Sequence, residues 1–409
     1  MENDFQHLIV IDPNSPFNGQ VVNLSVENGI INSIESVEAE TQLYVFPGLF
    51  DIGVFIGDPG FEDREDFHSA AVAAKAGGFT GLACLPNTHP VVDNKSAVKY
   101  IKNQKFHQDV DFYPLGCITT QCDGSNITEM IDMHESGAIG FTDGFKPIQN
   151  NGMMQRALEY VKAFDGIIIN HPHDKSIAGG GQINEGKLST MLGMKGLPIL
   201  AEEMMIARDL ELVRYTDSKI HISNISCAES VDRIRRAKSE GLKVSCSVAI
   251  HNLLYTEDVL EGFNTNFKLL PPLRTEADRK ALIEGLVDGT IDCISSNHLP
   301  LEEEAKKLEF SHASFGATAL ETALSQSWSL LDEGLDANIL IKAWSIHPRQ
   351  ILQLQAPSIK VGTAANLCVF DAGEKWTYSA NTQLSKSNNS PLFGKELVGK
   401  AIATINQTS

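Results

Sequence analysis

The chain has 409 residues, of which 42% are hydrophobic and 21% are charged, a composition typical of a globular protein with one large domain and a smaller appendage. Its formal net charge of −19 argues against nucleic acid or anionic lipid as a partner, because both require clustered Lys and Arg. The sequence opens without a signal-like segment and has no apolar run near the roughly 18 residues that a membrane span needs. We therefore expect a cytoplasmic protein that binds neither nucleic acid nor a membrane.

The seven cysteines support the same compartment. They are odd in number, scattered along the chain and mostly placed within apolar runs, a pattern that indicates buried thiols instead of a disulfide framework. Cys117 and Cys122 are the closest pair, but no second pair follows at the spacing of a zinc finger, so the sequence alone does not predict a zinc site there.

Both ends of the chain have the alternating apolar and polar pattern of β-strands. Near the N-terminus, Asn28-Gly29 separates two such segments, at 21–26 and 30–34, and this dipeptide favours a two-residue hairpin. The same alternation of apolar and polar residues is present at 366–370 and 397–405. Neither end has enough strands to bury a core alone, so we expect the two ends to pair into one small β-sandwich.

Between the two ends, short apolar strands alternate with amphipathic helices. The predicted strands cover 49–55, 80–85, 110–117, 138–142, 166–170, 219–223, 242–248 and 290–295, and each is followed by a helical stretch, the last of them at 317–332. Strict alternation predicts a parallel sheet with right-handed crossovers, and eight such units predict a (β/α)8 TIM barrel. We therefore predict a composite β-sandwich domain at 1–47 and 358–409 and a barrel domain at 48–357.

Residues at the C-terminal ends of barrel strands face the mouth of the barrel, where chemistry is placed in this fold. The first strand offers little chemistry, because Asp51, Gly53 and Phe55 share a face and only Asp51 can titrate. The later strands are followed by Asn87, Asp143, His171, Asn224, His251, Asn297 and His298. This set is polar but poor in metal ligands.

Several motifs together give the chain a specific resemblance. They include Phe46-Pro-Gly-Leu-Phe-Asp51, Asp58-Pro-Gly-Phe-Glu-Asp63, Leu85-Pro-Asn-Thr88, Pro271-Pro-Leu-Arg274 and Asp288-Gly-Thr-Ile-Asp292. From about residue 9 to 405 the sequence resembles the dihydroorotases, in the bacterial class related to the multifunctional pyrimidine enzymes of the amidohydrolase superfamily. The resemblance implies a barrel with a β-sandwich, one or two zinc ions at the mouth, and a metal-bound hydroxide that cleaves the dihydroorotate ring.

The metal ligands of that family are largely replaced in this sequence. The two histidines of the first strand fall on Gly53 and Phe55, and the histidine after the sixth strand falls on Asn224. The aspartate after the eighth strand, a ligand and general base in the family, falls on Asn297, whose neutral amide can neither offset a cation nor accept a proton. Asp143 and His171 remain as residual metal candidates, too few for a catalytic zinc.

The substrate-binding positions are replaced as well. The arginine that pairs with the substrate carboxylate in the family falls on Gly57, and an asparagine and a histidine fall on Leu270 and Leu301. Asn87 and His298 are left as candidate substrate-binding residues of a vestigial pocket.

Three hypotheses follow from these replacements. The leading one is a non-catalytic dihydroorotase homologue without a bound cofactor, a homo-oligomer that acts as a structural or regulatory partner of aspartate transcarbamoylase, as the resemblance to inactive relatives implies. The second is an active cyclic-amide hydrolase, either a dihydroorotase with an atypical zinc site or an enzyme that uses Asp143, His171 and His298. The third is a protein that binds a pyrimidine-like ligand without reaction, in a mouth lined by Phe55, Leu270 and Asn224.

Overall fold

The computed structural model describes residues 2–104 and 110–407. The strands within these residues form one six-stranded sheet, one eight-stranded sheet and one small pair. In chain order they are β1 (Glu2–Val10), β2 (Val21–Glu27), β3 (Ile30–Ser36), β4 (Leu43–Pro47), β5 (Leu49–Val54), β6 (Phe79–Cys84), β7 (Asp111–Gly116), β8 (Gly140–Phe141), β9 (Ile168–Asn170), β10 (Ile183–Asn184), β11 (Gly196–Leu197), β12 (Ile220–Ile222), β13 (Val244–Ala249), β14 (Cys293–Ser295), β15 (Asn366–Thr377) and β16 (Glu396–Asn406).

Most helices lie between successive barrel strands and bury one face against them. In chain order the α-helices of the described residues are α1 (Phe67–Ala76), α2 (Lys95–Lys102), α3 (Met130–Ser136), α4 (Asn151–Lys162), α5 (Lys175–Ala178), α6 (Lys187–Met191), α7 (Leu200–Thr216), α8 (Ala228–Ser239), α9 (Ile250–Leu254), α10 (Glu276–Val287), α11 (Ala323–Trp328), α12 (Ala337–Ile341) and α13 (His347–Ile351). Helix α10 begins with the reciprocal capping bonds of Thr275 and Asp278, which the sequence pattern favours.

The eight-stranded sheet is the barrel. Its order is β5-β6-β7-β8-β9-β12-β13-β14, and every neighbouring pair is parallel. The first and last strands approach each other through two bonds, from the Ser296 amide to the buried Asp51 carboxylate (2.9 Å) and from the Phe55 amide to the His298 carbonyl (3.1 Å). Apolar side chains such as Phe50, Ile52 and Leu115 fill the interior of the barrel.

The six-stranded sheet combines both ends of the chain, in the order β16-β15-β4-β1-β2-β3. The β2–β3 hairpin turns at Asn28 and Gly29, whose φ values of 50° and 78° fit the left-handed turn that this dipeptide favours. One face of the sheet encloses its own apolar cluster, which includes Leu24, Val45 and Val369, while Phe46 and Phe370 join the core of the barrel.

A single residue, Gly48, connects β4 of the six-stranded sheet to β5 of the barrel. A side chain at this position would lie 2.3 Å from the Thr80 methyl group, so only glycine fits. The Gly48 carbonyl accepts hydrogen bonds from Ser345 Oγ and from the buried Arg349 guanidinium, both at 2.8 Å. Arg349 also donates to Thr80 Oγ1 (2.8 Å) and therefore joins β5, β6 and α13 at the closed end of the barrel.

These sheets confirm the predicted (β/α)8 barrel with a small β unit from both termini, whereas the domain limits at residues 47/48 and 357/358 stay a prediction. The last predicted helix, at 317–332, is shorter than expected and begins at Ala323. The amides of Ala319 and Leu320 instead donate to the His298 ring, at 3.1 and 3.4 Å, which holds this segment out of a helix. Among the described residues, no helix combines the length and the apolar character needed to cross a lipid bilayer.

Candidate functional site

A cavity of about 200 Å³ opens at the C-terminal ends of the barrel strands. Its wall includes five of the positions singled out from the sequence: Gly53, His171, Asn224, Leu270 and Asn297. Further polar groups come from Thr142, Ser223, Ser247 and Ser295, and apolar groups from Ile52, Leu85, Phe145, Ile169, Leu299 and Phe315. The cavity therefore occupies the place where this fold carries its chemistry.

Two asparagines bridge one side of the cavity. Asn224 and Asn297 both have left-handed backbones, with φ of 55° and 51°, a conformation that asparagine tolerates better than most residues. The Asn224 Nδ2 donates to Asn297 Oδ1 (3.2 Å), and Asn297 Nδ2 donates to the Leu270 carbonyl (3.2 Å). Ser295 Oγ donates to Asn224 Oδ1 at 2.6 Å. The positions at which the resemblance expects a histidine and an aspartate are thus joined by neutral amide hydrogen bonds.

His171 is the one imidazole among the residues that line this cavity in the described part of the chain. Its ring lies roughly parallel to that of His173, with centroids 6.1 Å apart. Burial, with a smaller contribution from His173, lowers the pKa of His171 to about 4. The imidazole is therefore neutral near pH 7 and can accept a proton, although it is a weak base.

The first-strand positions have three different environments. Gly53 faces the cavity, and a Cβ added there would meet only Leu85, at 3.8 Å. Phe55 is buried with its ring 6.1 Å from Phe61 and 5.7 Å from Phe145, so it packs beside the cavity instead of lining it. There is no space for a side chain at Gly57, since a Cβ there would lie 2.1 Å from the Phe61 carbonyl oxygen. Gly53 alone of these three leaves room for a larger group at the mouth.

Asp143 and Asn87 do not belong to the cavity wall. The Asp143 carboxylate is buried and accepts hydrogen bonds from the Ile118 amide (2.8 Å), the Thr119 amide (2.9 Å) and the Thr119 hydroxyl. Burial raises its pKa to about 6 despite these donors. Asn87 uses both ends of its amide on the same loop, donating to the Asp143 carbonyl (3.0 Å) and accepting from the Phe145 amide (3.2 Å). Both side chains therefore fix the loop that carries Phe145.

Asp143 has its nearest potential metal ligands in Cys117 and Cys122. The ligand atoms of these three buried side chains lie within 4.8 Å of one another, and the two sulfurs are 3.0 Å apart. No other such group of three is present among the described residues. His171 is not part of it, so the two residual metal candidates of the sequence are not brought together.

His298 and Leu301 are also turned away from the cavity. His298 is buried, its Nδ1 accepts the Ala319 and Leu320 amides described above, and its Nε2 lies 3.6 Å from a Glu65 carboxylate oxygen. Leu301 is buried, and its amide donates to Asn389 Oδ1 at 3.2 Å. Substrate binding by Asn87 or His298 stays a prediction that this geometry does not favour.

The cavity wall does not fit the one or two zinc ions that the resemblance implies. Catalytic zinc needs about three ligands from His, Asp, Glu or Cys, whereas the described wall offers His171 and no carboxylate or thiol. Amide nitrogens and serine hydroxyls do not replace such ligands.

Sequence reasoning missed the serines and the aromatic side chains of the wall. Ser247 and Ser295 lie within the last residues of β13 and β14, so the rule that strand ends face the mouth could have found them. Phe145, Leu299 and Phe315 lie on loops, and no periodic signal marks them.

Comparison with known proteins finds one matching family model and several curated relatives of this chain. The family model described as Dihydro-orotase-like matches residues 42–230. Among curated relatives, the proteins named Dihydroorotase from Syntrophus aciditrophicus and Geobacter metallireducens are 39% and 41% identical to this chain, each over 97% of it and 96% of the relative. The protein of that name from Acetivibrio thermocellus is 40% identical over 97% of this chain and 95% of the relative.

Solved structures agree on the fold. The L-hydantoinase (dihydropyrimidinase) from Arthrobacter aurescens has a TM-score of 0.86 at 23% identity, covering 99% of this chain and 95% of that protein. The dihydropyrimidinase from Brevibacillus agri has a TM-score of 0.80 at 18% identity, covering 100% of this chain and 94% of that protein. At such identities the likeness concerns the fold alone.

The relatives also correct the leading hypothesis. A non-catalytic homologue that partners aspartate transcarbamoylase is contradicted, because relatives about 40% identical over nearly the whole chain carry the name of an enzyme. They favour the second hypothesis, an active cyclic-amide hydrolase, and give no support for that partnership. With this identity over almost the full length of both partners in each comparison, the chain belongs to the dihydroorotase family.

Proposed function

We propose that this chain is a cyclic-amide hydrolase of the dihydroorotase family, which binds a ring amide in the mouth cavity and adds water across its C–N bond. The observation that carries the proposal is the 39–41% identity, over about 97% of the chain, to proteins named Dihydroorotase. The cavity of about 200 Å³ suits a small ring, and its amides and hydroxyls offer partners for ring N–H and C=O groups.

His171 is the residue to which we assign the proton transfer. In this proposal water attacks the ring carbonyl carbon, the C–N bond breaks, and the proton lost by water reaches the leaving nitrogen. A neutral His171 accepts that proton and returns it, and Ser223, Asn224 and Asn297 orient the ring by hydrogen bonds. No step runs through zinc, because the wall lacks the ligands for it.

The test is a bidirectional assay on the purified chain, in which opening of dihydroorotate, dihydrouracil and hydantoin and closure of carbamoyl aspartate are followed together with metal content. The expected result is turnover of at least one ring that His171→Gln reduces by about 10²-fold or more, the usual size of general-base catalysis. The control is His134→Gln, since the exposed His134 of α3 packs on Phe164 and lines no part of the cavity. No turnover with any of these compounds would contradict the proposal.

Two further assignments remain proposals. A cytoplasmic location is supported by the seven cysteines, all of which are buried free thiols. A homo-oligomer, the other expectation from the sequence, is tested by analytical ultracentrifugation at micromolar concentration.

A further inference from the structure

We infer that the mouth cavity selects uncharged ring amides over rings that carry a carboxylate, so its preferred ligands are of the dihydrouracil or hydantoin type and not dihydroorotate. The inference rests on the proposed function for the kind of ring, but its basis is the charge and shape of the cavity wall.

No cationic side chain lines the cavity in the described part of the chain. The one titratable group on the wall is His171, whose low pKa keeps it neutral at physiological pH. A carboxylate inside such a wall would lose its hydration without gaining an ion pair, which is costly in an apolar surrounding. A neutral ring has no such penalty.

The backbone also leaves no space for a side chain, and hence for a cation, at Gly57. A Cβ at Gly57 would overlap the Phe61 carbonyl at 2.1 Å and lie 2.8 Å from the Glu65 carbonyl. The nearby Arg64 is committed elsewhere, since its guanidinium pairs with Glu302 at 2.5 Å and covers the Phe61 ring at 4.7 Å. Neither position can present a free cation to a ligand.

Lys268 is another cation near the mouth, and its ammonium group is also occupied. Its side chain is buried behind Phe315, with Nζ 5.0 Å from the centre of that ring, and Phe315 is the residue that faces the cavity. The ammonium group donates to the carbonyls of Phe310 (2.7 Å) and Ser311 (3.1 Å). It therefore holds the loop in place and does not meet the ligand.

The polar groups that do face the cavity suit a neutral ring. Asn224, Asn297, Ser247 and Ser295 carry both donors and acceptors, which match the N–H and C=O groups of an amide or imide. The net charge of −19 over the whole chain also disfavours anionic ligands in general. The cavity wall therefore offers hydrogen bonds to a neutral ring but no positive charge to a ring that carries a carboxylate.

The direct test compares dihydroorotate with its own carboxamide, two ligands of nearly equal size that differ in charge. Binding to the intact purified chain is measured by calorimetry at pH 7.5, with dihydrouracil and hydantoin as additional neutral rings. We expect the carboxamide to bind about tenfold more tightly or better, because the ionised group stays unpaired in the cavity. Dihydroorotate binding as tightly as its carboxamide, or more tightly, would overturn the inference.

Phe145→Arg provides a gain-of-charge variant at the rim, where the wild-type ring is 41% exposed. It should improve binding of dihydroorotate relative to its carboxamide about tenfold, since it adds the missing ion-pair partner. Phe145→Gln is the matched control, because it removes the same ring without adding charge, and it should not improve dihydroorotate binding. Equal improvement in both variants would refute the electrostatic basis.

The variant Gly53→Val tests whether the ligand binds in the mouth cavity. The added side chain projects into the cavity and should abolish binding of every ring, with the folded state checked by its unfolding midpoint. Unchanged neutral-ring binding in this variant would overturn the site. The two proposals can fail separately. If neutral rings bind but are not hydrolysed, the proposed hydrolase activity is wrong and the proposed ligand selectivity stands. If dihydroorotate alone is turned over efficiently, the proposed selectivity is wrong and the proposed hydrolase activity stands.

Discussion

Asn297→Asp tests whether the neutral bridge across the cavity stabilises the mouth. Asn297 accepts from Asn224 and donates to the Leu270 carbonyl, both at 3.2 Å, and aspartate tolerates its φ of 51° nearly as well. The carboxylate keeps the acceptor, loses the donor and places negative charge against the Leu270 carbonyl. One lost hydrogen bond and one poorly partnered acceptor predict a decrease in unfolding free energy of about 1–3 kcal/mol near pH 7.5.

The pH dependence of this effect has a defined sign. A protonated carboxyl group can again donate to the Leu270 carbonyl, so folding favours the protonated form and the pKa of the introduced group lies above its unfolded value of about 3.9. The variant therefore resembles wild type below about pH 4. The destabilisation appears as the pH rises through the unfolded value, and it is complete above the folded one.

The assay is urea unfolding of both proteins at pH 7.5 and at pH 4. Asn264→Asp is the control, because Asn264 is exposed and its side chain only accepts a bond, from the Asn266 amide at 3.0 Å. That variant should stay within about 0.5 kcal/mol of wild type at both pH values. An Asn297→Asp protein as stable as wild type at pH 7.5, or equally destabilised at both pH values, would refute the proposed role of the bridge.

Three further predictions concern stability. Gly57→Ala, whose Cβ would lie 2.1 Å from a carbonyl oxygen, should lower the unfolding free energy by about 1–3 kcal/mol or more, while Gly53→Ala should leave the urea midpoint unchanged. Arg349→Met should lower the unfolding free energy by about 2–4 kcal/mol in the same assay, because each carbonyl and hydroxyl that Arg349 now binds loses one donor; a neutral effect would contradict this. Burial lowers the pKa of His251 to about 4, so protonation of this residue alone should lower the unfolding free energy by roughly 3 kcal/mol as the pH drops from 6.5 to 4. His251→Phe should reduce the acid loss of stability of the whole protein by about that amount, and an unchanged pH profile would contradict this.

The fold was predictable because its signals are local. Buried apolar runs that alternate with amphipathic stretches place each barrel strand close to its observed position, and the Asn28-Gly29 dipeptide identifies its hairpin. The strand predicted at 138–142 contracts to Gly140–Phe141, since strand ends depend on neighbouring strands as much as on their own sequence.

Only those properties of the site that depend on residue type alone could be predicted from the sequence. Glycine at 53 has no ligand atom in its side chain, and the neutral amide of Asn297 is a poor zinc ligand, so the effect of both residues follows from the sequence. The orientations of Asp143 and His298 could not be foreseen, because backbone amides about twenty residues away in the chain turn both side chains from the cavity. Hydrogen bonds between residues so far apart in the chain produce no periodic pattern in a single sequence.

The position of β4 between β1 and β15 has a consequence for how the protein is made. Its segment 43–47 pairs with β1 early, but its other edge must await residues 367–371, which leave the ribosome roughly 320 residues later. At 5–20 residues per second that interval is on the order of tens of seconds. During this time the apolar edge around Val45 and Phe46 is open to other strands, so a nascent chain of this protein needs protection from aggregation until its last strands emerge.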